Sequence, residues 1–123
     1  MLSAEPVSVA PDGSACRRLL ALGGGSVAHV TLAAGAVSCA VRHRTVEEIW
    51  YVLGGSGQMW RAHDGRETID ALGPGVCLTI PLGAHLQFRA LPAGLRVLAV
   101  TMPPWPDDAE AAGVPRHWPD SRG

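Results

Sequence analysis

His43 and Glu48 stand five residues apart in Val41-Arg42-His43-Arg44-Thr45-Val46-Glu47-Glu48. An imidazole and a carboxylate brought face to face can pass a proton near neutral pH, or can offer nitrogen and oxygen donors to a first-row transition metal. In an extended strand, residues two apart face the same side. Cys39, Val41 and His43 therefore share one face, as do Glu48, Trp50 and Val52, and two such strands side by side bring the pair together. Trp50, Phe88 and Trp60 are placed on the same inner register, giving flat apolar walls around few polar anchors, the usual character of a small-molecule pocket. Three further donors lie within reach of the pattern: His85, if a bulge at Gly83-Ala84 shifts its strand by one residue, Cys39 behind Val41, and His29 before Val30-Thr31-Leu32. The glycines open no helix, so no phosphate-binding loop follows, and spacing places no Ser-His-Asp arrangement.

Short apolar and β-branched runs separated by glycine or proline must position these residues, and no segment keeps helical periodicity for three turns. Strands are expected at Cys16–Leu22, Val27–Leu32, Val37–His43, Glu48–Leu53, Gly57–Ala62, Glu67–Leu72, Val76–Ile80, His85–Ala90 and Arg96–Met102. Asp64-Gly65 supplies the positive φ values of a type I′ hairpin turn, and Gly83 marks another turn. Many short strands at near-regular spacing argue for a barrel or a two-sheet jelly roll, the arrangements that remove exposed edges. Glu47 should face outward and pair with Arg44 or Arg61. Beyond Met102 the composition changes to Pro103-Pro104-Trp105-Pro106, two aspartates, an Ala-rich piece and Val114-Pro115-Arg116-His117-Trp118-Pro119. Prolines cannot donate to a ladder, so this reads as a tail rather than a strand. Trp105 and Trp118 argue that it is ordered, packed on the barrel or on a second subunit.

The chain has 123 residues, 47% hydrophobic and 17% charged, which fits a single domain with one core, 1–102 forming the barrel and 103–123 an arm of the same domain. A net charge of −1 with scattered arginines leaves no electrostatic footprint for nucleic acid or an anionic membrane. Lysine and asparagine are absent, a composition expected of a GC-rich bacterial gene. Cys16, Cys39 and Cys77 are odd in number and lack a C-x-x-C spacing, so no disulfide framework is indicated and a reducing cytoplasm fits best. The opening MLSAEPVSVAP carries Glu5 and two prolines and lacks a basic, then apolar, leader pattern. Leu19 to Val41 holds no Asp, Glu or Arg, but its Gly23-Gly24-Gly25, Gly35 and serines read as turns between strands rather than a membrane span.

Two segments resemble the paired motifs of the cupin superfamily. The first, G-x5-H-x-H-x3,4-E-x6-G, is matched by Gly35, His43, Glu48 and Gly55, and Glu48-Ile49-Trp50-Tyr51-Val52-Leu53-Gly54-Gly55-Ser56-Gly57 is similar to the turn that closes it. The second, G-x5-P-x-G-x2-H, is met by Gly75, Pro81 and Gly83, with Leu86 at its histidine position and His85 one residue early. The resemblance implies an all-β, single-domain cupin (jelly-roll) β-barrel with a Pro/Trp-rich C-terminal arm. It also implies metal ligands at positions 41, 43, 48 and 86, of which this chain keeps His43 and Glu48 and replaces the others with Val41 and Leu86. The cofactor expectation is none, or one divalent transition metal held by His43, Glu48 and His85.

These residues lead to an enzyme performing proton-transfer chemistry (isomerisation, cyclisation or elimination, the work of an isomerase or lyase) on a mostly apolar organic substrate, with His43 and Glu48 catalytic. Trp50, Phe88, Trp60, Val41, Leu86 and Cys39 would contact the substrate. A metal-dependent oxygenase or lyase is one alternative, and a non-catalytic small-molecule-binding or scaffold barrel is another. So apolar a chain is also expected to hide side chains in a homodimer.

Overall fold

Glycine-bounded β-branched runs give an all-β architecture in a computed structural model that describes residues 8–10 and 13–120. Most of the opening segment read above for a leader, and residues 121–123 of the arm, lie outside the described residues. The strands are β1 (Ser8–Val9), β2 (Ala15–Leu22), β3 (Gly25–Leu32), β4 (Val41–His43), β5 (Glu47–His63), β6 (Arg66–Leu72), β7 (Cys77–Ile80), β8 (His85–Met102) and β9 (Ala111–Gly113), with a turn of 3-10 helix at Asp108–Glu110. All pair antiparallel in one curled sheet. Among the described residues, no helix is long and apolar enough to cross a membrane.

Four expected strands are two. Glu48–Leu53 and Gly57–Ala62 fuse into β5, and His85–Ala90 and Arg96–Met102 fuse into β8, because the two chains stay paired around a corner, from Glu47 opposite Met102 to Ala62 opposite His85. The corner needs glycine. Gly55 has φ +83°, and a Cβ there would sit 2.0 Å from the Gly94 carbonyl oxygen, while one on Gly57 would sit 2.3 Å from that of Arg89. The corner divides the sheet into two halves. The first half runs β1-β2-β3, then the C-terminal part of β8, the N-terminal part of β5 and β7; the second runs β9-β4, then the other parts of β8 and β5, and β6. Their concave faces enclose one core that takes Val30, Trp50, Val52, Leu78 and Val97 from the first half and Met59, Leu72, Leu86 and Phe88 from the second. Phe88 and Met59 are wholly buried, each contributing on the order of 1.5–3 kcal/mol by burial. Phe88 meets Trp50 edge to face with ring centroids 4.9 Å apart.

Val37–His43 is mostly not strand: Val37 makes one bridge to Arg89, and the ladder begins only at Val41. The Asp64-Gly65 hairpin tip has positive φ at both residues, and Gly83 occupies a turn closed by the Ala84 N–H donating to the Pro81 carbonyl. Arg61 pairs with Asp70 rather than Glu47, and Arg44 donates to the Ala109 carbonyl.

The arm is ordered on its own chain and, contrary to the expectation of a strandless tail, contributes β9, which pairs with β4. Further on it roofs the convex face of the second half. Buried Gln87 donates to the carbonyls of Ser38 and Trp118 and accepts from the backbone N–H groups of His117 and Trp118. The Arg89 guanidinium lies 4.3 Å from the Trp118 ring centre.

Candidate functional site

β4 is short, but it is held on both sides: Val41 pairs with Leu86 of β8, and His43 with Ala111 of β9. Alternation then turns Val41 and His43 inward, and the next residues along the chain to line the same cavity are Glu48 and Trp50 of β5. The link between them, Arg44 to Val46, is gripped by Glu110 from the arm. That buried carboxylate accepts from the Thr45 N–H (2.5 Å), the Thr45 hydroxyl (2.6 Å) and the Val46 N–H (2.8 Å). The Arg44 N–H donates to the Glu110 carbonyl, completing the clamp. Burial opposes the charge on Glu110, yet the hydrogen bonds from Thr45 and Val46, with His43 nearby, hold its carboxyl below the usual range.

His43 Nδ1 lies 3.9 Å from Glu48 Oε1, beyond hydrogen-bond reach, and is buried without a partner. The same Glu48 oxygen accepts from Trp50 Nε1 at 2.8 Å, and Trp105 of the arm meets the imidazole edge to face at 5.2 Å. Burial pushes the His43 pKa down from 6.5 to about 4, against the upward pull of the Glu110 carboxylate. The ring is therefore neutral at neutral pH. With Nδ1 turned to Glu48, Nε2 on the opposite edge is the nitrogen available to a ligand.

These groups line one end of a cavity of about 410 Å³, at the lower end of the range for small-molecule pockets (~300–1,000 Å³). It exists because small residues pave it: Ala28 of β3 and Ala99 of β8 lie side by side, next to Ser26 and Thr101, whose hydroxyls share a hydrogen bond. Trp105 lines it as well, its backbone N–H donating to Ser26 Oγ at 3.0 Å.

Of the residues singled out in the sequence, the cavity brings together His43, Glu48, Trp50, Val41 and Leu86. Phe88 stands behind Trp50 with no exposed surface. Cys39 precedes β4 and packs against the core without lining the cavity. Trp60 is on the other face: the bulge between Val52 and Gly54 sets two residues of β5 against one of β8 and inverts the alternation once, so Met59 points in while Trp60 points out, donates to Glu67 and stacks on His117 at 5.3 Å. His85 pairs with Arg42, out of phase with Val41 and Leu86, and lines a separate depression with His63, Asp64 and Leu82. No bulge turns it inward. His29 pairs with Arg17 and Leu98 and is likewise absent from the cavity.

The donor set does not fit a resident metal ion. Val41 and Leu86 fill two of the four positions, His85 faces away, and among the described residues no three His, Cys, Asp or Glu side chains are grouped to hold one. Two residues of the site escaped the sequence reading. Glu110 sits in a segment read only as Ala-rich, and Trp105 was noted only for ordering the arm; each acts through a contact more than sixty residues away in sequence.

No family model and no curated protein sequence matches the chain. Solved structures do. Oxalate decarboxylase from Bacillus subtilis superposes with a TM-score of 0.79 at 19% identity, over 90% of this chain and 30% of that one. The coconut allergen cocosin superposes with a TM-score of 0.68 at 22% identity, over 76% of this chain and 27% of that one. The chain thus spans about 30% of the length of these neighbours.

Proposed function

The protein has the cupin fold, and on that scaffold we propose an enzyme that moves a proton between two positions of a small, mostly apolar organic substrate, with His43 as the base and Glu48 as its partner. The observation that carries this reading is a buried imidazole with no hydrogen-bond partner at Nδ1, which faces the Glu48 carboxyl 3.9 Å away at the end of an apolar cavity. At neutral pH the ring is entirely in its base form. Nε2 takes a proton from an activated carbon, the electron pair left behind delocalises within the substrate, and Glu48 stabilises the imidazolium through Nδ1–H as the two close into hydrogen-bond range. Burial makes that imidazolium more acidic than a solvated one, so the proton returns to the substrate rather than resting on the ring. Delivery at a second carbon is isomerisation, which favours this class over elimination.

The test is solvent-deuterium incorporation, read by mass spectrometry, into a panel of cavity-sized unsaturated organic compounds. With the compound that exchanges, His43→Ala and Glu48→Gln should each lower the rate by ~10²–10⁴-fold, and the double variant should lose little more, because the two act as a unit. Wild-type rates in both variants would remove the assignment. A non-catalytic binding barrel predicts no exchange in any variant, with affinity lost on replacing Trp50.

A further inference from the structure

The cavity is bipolar. Strand alternation puts Cys16 and Arg18 of β2 on its wall and Arg17 outside, opposite His29. Arg18 pairs with Ala28, Ala28 with Ala99, and Ala99 with Trp50, so one row across four strands reads arginine, alanine, alanine, tryptophan. The two alanines leave a trough, with a guanidinium at one end and Trp50, Glu48 and His43 at the other. Arg18 makes no ion pair with any described residue. The acidic groups on the wall cluster at the opposite end: Glu48 itself, and Asp108, three residues before the Ala111 that pairs with His43.

We propose that this trough binds an amphiphilic organic acid, its single carboxylate on Arg18, its apolar body over Ala28 and Ala99, and its far end against Trp50 and His43. The proposal rests on the proton-transfer reading for what happens at His43, and adds the substrate class and its direction of entry. Three strand spacings separate Arg18 from Trp50 in register, ~14 Å before the sheet curls. That is room for an extended chain rather than a compact anion. Glu48 and Asp108 repel a carboxylate from the reacting end, while the Arg18 guanidinium offers it a forked pair of donors. The same charges therefore fix orientation, and a compound with a carboxylate at each end is disfavoured.

Calorimetry with butanoate, hexanoate, octanoate and decanoate, each against its neutral amide, tests this on the full chain, with the methyl resonances of Ala28 and Ala99 reporting where the ligand lies. The longer acids should bind at least about fivefold tighter than their amides at low salt, shift both methyl signals, and lose the preference as salt rises, since Arg18 is solvent-exposed. Arg18→Met should abolish the acid-over-amide preference while amide affinity stays within about twofold, and Arg18→Lys should restore part of it. An undiminished preference in Arg18→Met, unmoved alanine methyls, or no binding by any acid would overturn the proposal. His43→Ala separates it from the functional reading: if the Arg18-dependent preference survives there while deuterium exchange is unaffected, the base assignment fails and the acid site stands. Exchange that depends on His43 but runs equally well on acids and amides would instead keep the base assignment and remove the acid site.

Discussion

The two halves of the sheet use their faces in opposite ways. In the first half the concave face packs Val52, Leu78 and Val97 into the core but is hollow where Ala28 and Ala99 floor it, and the convex face is bare, with Ile49, Tyr51 and Leu53 exposed by 39%, 46% and 37%. In the second half Met59, Leu72 and Phe88 fill the concave face, which meets the cavity only at its edge through Val41, His43 and Leu86, and the convex face is roofed by the arm through Gln87, Trp60, His117 and Trp118. The same antiparallel backbone supports both. Side-chain volume decides where a ligand has room, and the arm's route decides which outer surface is left for a partner.

Substitutions of opposite size should separate the halves. Phe88→Ala opens a void in the packed half and should cost about 3–5 kcal/mol, measured by denaturant unfolding. Ala99→Leu fills space that is already empty and should cost less than about 1.5 kcal/mol, while abolishing uptake of octanoate. Equal penalties would mean the hollow is not present in solution.

Next in size is the arm's grip on the site. Glu110→Ala leaves the buried N–H groups of Thr45 and Val46 without their acceptor, at an expected cost of about 2–4 kcal/mol. Glu110→Gln, which keeps an acceptor, should cost less. If the two variants match wild type in thermal unfolding, the arm does not hold the link between His43 and Glu48.

The smallest expected change in stability belongs to the bare convex face. We propose that it is the homodimer contact, the arm being committed to its own chain. Tyr51→Glu should change unfolding stability per chain by no more than about 0.5 kcal/mol yet halve the mass seen by light scattering. A wild-type monomer at high concentration would remove the proposed dimer.

The strands and turns were legible because glycine, proline and β-branched residues act locally: Asp64-Gly65 and Gly83 sit in turns of the expected kind. The convergence of His43, Glu48, Trp50 and Val41 followed from alternation within each strand, while Leu86 was marked only by the resemblance to the second cupin motif. Trp60 falls where that logic breaks, because the bulge between Val52 and Gly54 inverts the alternation of β5 and nothing in the residue types of Leu53-Gly54-Gly55 states that an inversion occurs there. Cys39 lies before the point where the β4 ladder begins, so alternation counted back from Val41 does not reach it. Glu110 and Arg18 were invisible because their meaning lies in register. An acid in an Ala-rich tail and an arginine beside another arginine gain their roles only when β9 pairs with β4 and β2 with β3.

The central claim is that His43 is a buried, neutral base facing Glu48, and the pH titration of its imidazole by nuclear magnetic resonance tests it most directly. The folded-state pKa, about 4, lies below the ordinary value of 6.5. Between those values the unfolded chain therefore binds the extra proton, and the stability held above pH 6.5 falls on acidification toward pH 4, by about 3 kcal/mol in all from this group. The account predicts ring resonances that stay in the neutral form down to about pH 5 and titrate near 4, with the matching acid-side loss of stability absent from His43→Ala. An imidazole that titrates at or above 6.5 would be solvated or stably ion-paired with Glu48, and would contradict the account.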